Sequence, residues 1–346
     1  MVKVKREGII LEKTENEFEN NAVFNPAVWQ DGENVHIFYR AVRKGNFSTI
    51  GYCLLKGPLE IVKRNDEPLI VPEFEYESHG IEDPRIVKID DIFYLTYTAY
   101  DKVNALGALA LSKDLVNFKK QGLISPQLTY NKFKELAKVK GNISDKYFRY
   151  CLSYEKRDSL DQKLLLWDKN VMFFPRRIKN KLLFLHRIRP GIQLVVIDKL
   201  EDLTESFWMN YFINMANHIV MNPVYRHEAS YIGAGCPPIE TKEGWLLIYH
   251  GVEDTPEGYI YHTCAALLDL ENPLKEISRL KMPLFSPKNL WEQKGIVDNV
   301  VFPTGTSIFK DRLYIYYGAA DEFIAVASMN MNELLDALLN NKPLSS

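Results

Sequence analysis

The chain has 346 residues, 46% of them hydrophobic and 25% charged, and 43 basic against 45 acidic side chains leave a formal net charge of −2. Such a length buries a sizeable core without disulfides or structural metals, and the near-neutral balance gives no global field to hold nucleic acid or an anionic membrane. Any anion must be bound by a local cluster.

At the N-terminus, Ile9, Ile10 and Leu11 give way at once to Glu12, Lys13 and Glu15, too early for a secretory apolar stretch. No run approaches the roughly 18 apolar residues of a membrane span. Cys53, Cys151, Cys236 and Cys264 are far apart, without a C-x-x-C pair, and read as core residues of a reducing compartment. The expectation is a cytoplasmic protein.

Five strand-like segments superimpose column by column along the chain: Val35–Ala41, Phe93–Ala99, Leu182–Ile188, Trp245–Gly251 and Leu313–Ala319. A turn pair precedes each: Asp31-Gly32, Asp90-Asp91, Lys179-Asn180, Glu243-Gly244 and Lys310-Asp311. Upstream of each turn is a strand with proline near its start, at Pro26, Pro84, Pro175, Pro237-Pro238 and Pro303, and downstream comes a third strand. Repeated sheets of this kind bury their faces on one another, and a ring leaves only short edges. The prediction is all-β: one five-bladed β-propeller domain spanning 1–346, with repeats near 25–60, 83–120, 170–200, 232–270 and 299–330.

Two stretches break the pattern and are predicted as helical insertions between blades, about 121–165 and 199–221, the second with Leu200, Leu203, Phe207 and Tyr211 at helical spacing. The amphipathic segment from Met331 predicts a short C-terminal helix on the last blade.

In a propeller the inner strands converge, so equivalent positions of the repeat meet in space. The ends of the hairpin strands supply Arg40, Thr98, His186 with Arg187, His250 and Tyr317; the strands before them supply Asn25, Glu82, Asp83, Arg85, Lys169, Glu228, Asp298 and Asn299. Carboxylates and cations gathered in an aromatic-rich funnel suit a sugar, whose hydroxyls they bind. A binding module without catalysis would share these features. The seven histidines show no H-x-x-x-H or H-E-x-x-H spacing for a metal, there is no phosphate-binding G-x-x-x-x-G-K-[ST] loop, and no G-x-S-x-G elbow marks a serine nucleophile.

Several motifs together resemble glycoside hydrolase family 130, inverting β-mannoside phosphorylases and β-mannosidases on a five-bladed propeller. They are Asn25-Pro-Ala-Val with Tyr39-Arg-Ala-Val, Gly80-Ile-Glu-Asp-Pro-Arg-Ile86, Leu109-Ala-Leu-Ser-Lys-Asp-Leu115, Ile232-Gly-Ala-Gly-Cys-Pro-Pro, Trp245-Leu-Leu-Ile-Tyr-His-Gly251, and Asn299-Val-Val-Phe-Pro with Tyr316-Tyr-Gly-Ala-Ala-Asp321. The resemblance runs from about Asn25 to about Ser328 and omits the 120–165 stretch; Lys169-Asn170 stands where the family has Lys-Asp.

The resemblance implies that Asp83 is the general acid, protonated at working pH and so with a pKa above the ordinary value of about 3.9. It implies a phosphate site of Lys169, His186, Arg187 and His250, and sugar contacts from Asn25, Arg40, Glu82, Arg85, Tyr317 and Asp321. The expected activity is inverting phosphorolysis of a β-mannoside to α-mannose 1-phosphate, with inorganic phosphate as co-substrate and no cofactor or metal. Two alternatives stand beside it: an inverting β-mannosidase with Glu228 as base, and a non-catalytic sugar-binding propeller. The partners are a manno-oligosaccharide and phosphate, with no nucleic acid and no membrane, and a homo-oligomer is compatible with the sequence.

Overall fold

A computed structural model describes residues 2–149 and 163–341. The chain is mostly β, as its alternating and β-branched segments predict, with 48% strand and 16% helix. Strand β1 (Lys5–Leu11) precedes an antiparallel meander of β2 (Ala22–Asp31), β3 (Asn34–Arg43), β4 (Phe47–Lys56) and β5 (Glu60–Arg64). The second unit is β6 (Gly80–Ile89), β7 (Ile92–Tyr100), β8 (Ala105–Ser112) and β9 (Lys119–Leu123), joined to the first by one parallel bridge, Ser48 to Gly80.

The third unit is β10 (Lys169–Phe173), β11 (Leu182–Arg187), β12 (Ile192–Ile197) and β13 (Ile219–Met221). In the fourth, β14 (Tyr231–Ala234) and β15 (Ile239–Glu240) both pair with β16 (Trp245–Thr255), followed by β17 (Gly258–Leu268) and β18 (Glu276–Arg279). The fifth has β19 (Val301–Phe309), β20 (Arg312–Ala319) and β21 (Phe323–Asn330), and its outer strand is β1, paired antiparallel with β21. Among the first strands, β6 meets β2 and β10, β10 meets β14, and β19 meets β2; on its other side β19 touches β16, the second strand of unit four.

Two predicted insertions need redrawing. Residues 119–123 are the fourth strand of unit two and 219–221 the fourth strand of unit three, so both insertions are shorter than the sequence suggests. What remains are helices α1 (Tyr130–Lys138) and α2 (Glu205–Ile213), N-capped by Thr129 and Thr204. Phe133, Leu136, Trp208 and Phe212 from them share a core with Phe184 and Val195 of unit three. Residues 150–162 of the first insertion, Cys151 included, lie outside the described residues. After α3 (Leu290–Gln293), the predicted C-terminal helix is α4 (Met331–Leu339), capped by Asn330, with Leu334 and Leu338 buried among Leu267 and Ile315.

A polar anchor recurs inside the units. Glu19, Glu77, Glu228 and Glu292, all fully buried, each accept a hydrogen bond from the tyrosine in the same column of the second strand: Tyr39 (2.7 Å), Tyr97 (2.6 Å), Tyr249 (2.6 Å) and Tyr317 (2.7 Å). A cation from the fourth strand completes each: Arg64 (2.9 Å), Lys120 (2.6 Å), Arg279 (3.2 Å) and Arg6 (2.7 Å). A buried charge is tolerable when paired and hydrogen-bonded, and here one carboxylate ties turn, second strand and outer strand together. In unit three, His186 fills the tyrosine column and pairs with Asp168 at 2.9 Å.

Candidate active site

Side chains alternate faces along a strand, so the column after the anchor points the other way. It holds Arg40, Thr98, Arg187, His250 and Gly318. Opposite this column, the first strands carry bulges. Across Asn25, Asp83 and Asn170 the pairing register skips one extra residue, and all three have left-handed backbone, φ 50°, 50° and 58°. Asn and Asp enter that region at less cost than other side chains, and a bulge re-aims its side chain. The three Asx residues meet at a cavity of about 180 Å³, lined also by Arg40, Trp167, Lys169, Arg187, Arg189, Tyr231, Tyr261, Val297, Val300, Phe302 and Asp321.

One wall holds the carboxylates. Asn25 Nδ2 donates to Asp83 Oδ1 at 2.8 Å, and Arg40 Nη1 lies 3.6 Å from the same oxygen. Glu82 bridges Arg40 (2.6 Å) and Lys169 (3.1 Å). Burial would raise the pKa of Asp83, but Arg40, Lys169 and Arg85 outweigh it and hold the carboxyl below its ordinary value. This corrects the expectation of a raised pKa. The raised one is Asp321, pushed up to about 7 by burial, with Asp83 and Glu82 adding to the push and Arg40 opposing it.

Two further arginines line the same cavity. Arg187 and Arg189 lie 5.1 Å and 4.1 Å from the centre of the Tyr231 ring, whose hydroxyl meets that of Tyr261 at 2.6 Å. Arg187 Nε is buried without a hydrogen-bond partner. His250 sits behind it, Nε2 3.4 Å from Arg187 Nη1. Burial, then Arg187 and Arg85, hold this imidazole well below its ordinary pKa, so it is neutral at pH 7 and acts as acceptor for Arg187.

Nine residues singled out in the sequence do not line the cavity, among them Thr98, Asn299, Asp298, which pairs with Lys294, and Glu82, whose carboxylate is spent on Arg40 and Lys169 and is not offered to a sugar. His186 does not line the cavity: it is fully buried between Asp168 and the Tyr211 hydroxyl (2.8 Å). Tyr317 is buried on Glu292. Both belong to the anchor column, one residue from the cavity face, and a shift of one residue along a strand reverses the face. His250 lies behind the cavity as a neutral group. Arg85 is 1% exposed and donates to the carbonyls of Asp83 and Pro84, both at 2.9 Å, and of Gly235; it holds the Asp83 bulge and does not reach the cavity. Glu228 is spent on Tyr249, Arg279 and the amides of Val224 (2.7 Å) and Tyr225 (3.1 Å), which leaves no free carboxylate edge for a water.

The sequence reading missed Arg189, Tyr231 and Tyr261. Arg189 lies two residues beyond Arg187, a spacing that could have pointed to it. The tyrosines belong to strands whose inward face only the register reveals. Among the described residues, no group of His, Cys, Asp or Glu is arranged to hold a metal ion, and no helix is long and apolar enough to cross a membrane.

A carboxylic acid held by amide and guanidinium groups, with two arginines lining the same sugar-sized cavity, defines an enzyme acting on carbohydrate. The chain belongs to glycoside hydrolase family 130, whose profile, described as beta-1,4-mannooligosaccharide phosphorylase, matches residues 4–340. It is 33% identical to a 1,2-beta-oligomannan phosphorylase of Thermoanaerobacter sp. strain X514, over 96% of this chain and 99% of that protein. It is 32% identical to a beta-1,2-mannobiose phosphorylase of the same organism, over 94% and 96%. The fold superimposes on beta-1,2-mannobiose phosphorylase of Listeria innocua with a TM-score of 0.72 and 22% identity, covering 97% and 99% of the two chains.

Proposed function

We propose that this protein cleaves β-1,2-mannosides by inverting phosphorolysis, releasing α-mannose 1-phosphate and a shortened saccharide, on a single domain of five sheets closed into a propeller. The pairing of β1 with β21 and the contact of β19 with β2 support the ring. Relatives matched over nearly their whole length support the linkage.

The observation that carries the reaction type is that Arg187 and Arg189 line the cavity together with Asp83 while Glu228 is buried elsewhere. An inverting hydrolase needs a second carboxylate, facing the acid, to activate water. The same cavity is lined by Arg187 and Arg189, which suit an anion, it offers among the described residues no second free carboxylate placed as a base, and Glu228 is committed elsewhere. In this reading Asp83 protonates the leaving oxygen as a phosphate oxygen attacks C1 from the opposite side; the C1–O bond breaks, the new C1–O–P bond forms, and the phosphate's own proton restores Asp83. Arginine's planar fork matches phosphate oxygens. Arg40, Lys169 and Arg85 keep Asp83 ionised in the free protein, and the negative field of a phosphate dianion bound in the same cavity works against them and favours the protonated acid. Lys169, the cross-strand neighbour of Arg187, joins the arginines on the phosphate, and Asn25, Arg40 and Asp321 take the hydroxyls of the mannose.

Conserving bond energy as a sugar phosphate is useful where such esters are consumed, which places the enzyme in the cytoplasm in this reading. The test is incubation of β-1,2-mannobiose with and without inorganic phosphate, followed by NMR. Phosphate-dependent α-mannose 1-phosphate is expected; free mannose released without phosphate overturns the reaction type.

A further inference from the structure

In four units a buried glutamate holds a tyrosine and a cation from the outer strand; unit three departs from this. Its outer strand, β13, reads Ile-Val-Met and supplies no cation. Its carboxylate is Asp168, fully buried in the residue before β10. One oxygen of Asp168 accepts from His186 Nδ1 at 2.9 Å, and the other accepts from the backbone amide of Arg187 at 3.3 Å. The second nitrogen of the same imidazole meets the Tyr211 hydroxyl at 2.8 Å, and that hydroxyl lies 3.1 Å from the carbonyl of Leu194. Tyr211 belongs to the inserted helix α2 and is buried.

This arrangement sits directly behind two cations of the cavity. Trp167 and Lys169 line the cavity while Asp168 between them does not, and Arg187 lines it while His186 before it does not. Successive residues of an extended chain face opposite ways. Lys169 and Arg187 are themselves a cross-strand pair, so the Asp168 carboxylate ties β10 to β11 at the point where both cations emerge. The side chain of Arg187 is loosely held by comparison: Nε has no hydrogen-bond partner, and Nη1 reaches His250 at 3.4 Å, long for a hydrogen bond. Backbone placement therefore decides where the guanidinium lies. Burial and Arg189 weaken its hold on a proton, and the Asp168 charge is among those that oppose them.

We propose that Asp168, His186 and Tyr211 are positioning residues for phosphate: through the Asp168 carboxylate they set Lys169 and Arg187 at the spacing the anion needs, and they make helix α2 part of the support of that site. The inference rests on the phosphorylase reading. The experiment measures KM for phosphate and for β-1,2-mannobiose, and the Kd of inorganic phosphate by calorimetry, in the wild type, Tyr211→Phe, Asp168→Asn and Tyr97→Phe. Tyr211→Phe deletes one hydroxyl, and Asp168→Asn leaves one acceptor oxygen for two N–H donors. Tyr97→Phe makes the same deletion in the anchor of unit two. The phosphate KM and Kd are expected to rise about fivefold in Tyr211→Phe and about tenfold in Asp168→Asn, with the mannoside KM within about twofold of the wild type. Tyr97→Phe is expected to lose Tm and keep the phosphate KM. An unchanged phosphate KM and Kd in Tyr211→Phe, a mannoside KM that rises as much, or the same loss in Tyr97→Phe overturns the assignment even where phosphorolysis stands. If Asp168→Asn does not fold, Tyr211→Phe alone decides. A wild type that takes up no phosphate in either measurement overturns the phosphorylase reading and this assignment with it.

Discussion

Asn25 and Asp83, 58 residues apart, sit at equivalent bulges of neighbouring units, and the amide of the first donates to the carboxylate of the second at 2.8 Å. Both have φ 50°. The bulge thus performs two tasks, turning the acid inward and bringing the neighbouring unit's amide within reach of it.

The two tasks can be separated by substitution. Asn25→Ala removes the donor and forces a Cβ-bearing residue without a compensating side chain into left-handed backbone, at about 1–2 kcal/mol. Asn25→Gly removes only the donor. The glycine variant should keep a Tm near the wild type, the alanine variant should lose several degrees, and both should lose turnover by a similar factor, on the order of tenfold. Recovery of full activity in Asn25→Gly would show that the amide does not position Asp83. Asp83→Asn, which suits φ 50°, should fold normally and lose phosphorolysis of natural substrates almost entirely.

Asp321 gives the protein a pH signature. Its folded-state pKa of about 7 lies above the ordinary carboxylate value, so the folded protein binds this proton more tightly than the unfolded chain. The stabilisation is fully present below the unfolded pKa and is lost as pH rises through about 7. Asp83 acts in the opposite sense, with stability present above its ordinary value and lost as pH falls through its lowered one. Asp321→Asn mimics the neutral acid. Between pH 5 and pH 8 the wild type should therefore lose Tm relative to this variant, by on the order of a few degrees. Parallel Tm curves would rule out the raised pKa.

Arg187 is predicted to bind phosphate through its fork, because its Nε is unpartnered and His250 fixes one Nη only. Arg187→Lys keeps the charge and loses the fork. The KM for phosphate should rise by about tenfold or more, with the KM for the mannoside nearly unchanged. An unaltered phosphate KM would move the anion elsewhere in the cavity.

The repeat, and with it the β content, was legible because each unit writes the same turn chemistry and strand column into the sequence. The fourth strands β9 and β13 were read as insertion because they are short and carry little alternation. At the site, Asn25, Arg40, Asp83, Lys169, Arg187 and Asp321 do meet in one cavity; Asn25 and Asp83, each followed by a proline, sit at bulges that turn them inward, and Arg40 and Arg187 occupy one column of the repeat. His186, Tyr317 and Glu228 were drawn into the same group because a polar residue at a strand end looks alike whichever face it takes. The face is set by registration to within one residue, and for Glu228 by a partner, Arg279, that lies 51 residues away. The sign of the Asp83 shift was equally beyond the sequence: it depends on Arg40 and Lys169 arriving from two other units.

Glu228 separates an anchor from a general base. Its carboxylate satisfies Tyr249, Arg279 and two amides in a site without solvent access, as Glu19 does for Tyr39 and Arg64 in unit one. Removing one member of a buried pair leaves the other charge uncompensated, at about 3–5 kcal/mol. Glu228→Gln and Glu19→Gln should therefore both lower Tm substantially, while kcat of the folded enzyme at a temperature well below unfolding stays within about twofold of the wild type. A general base would behave in the opposite way, with turnover abolished and Tm nearly unchanged for Glu228→Gln alone, and that result would restore the hydrolase reading.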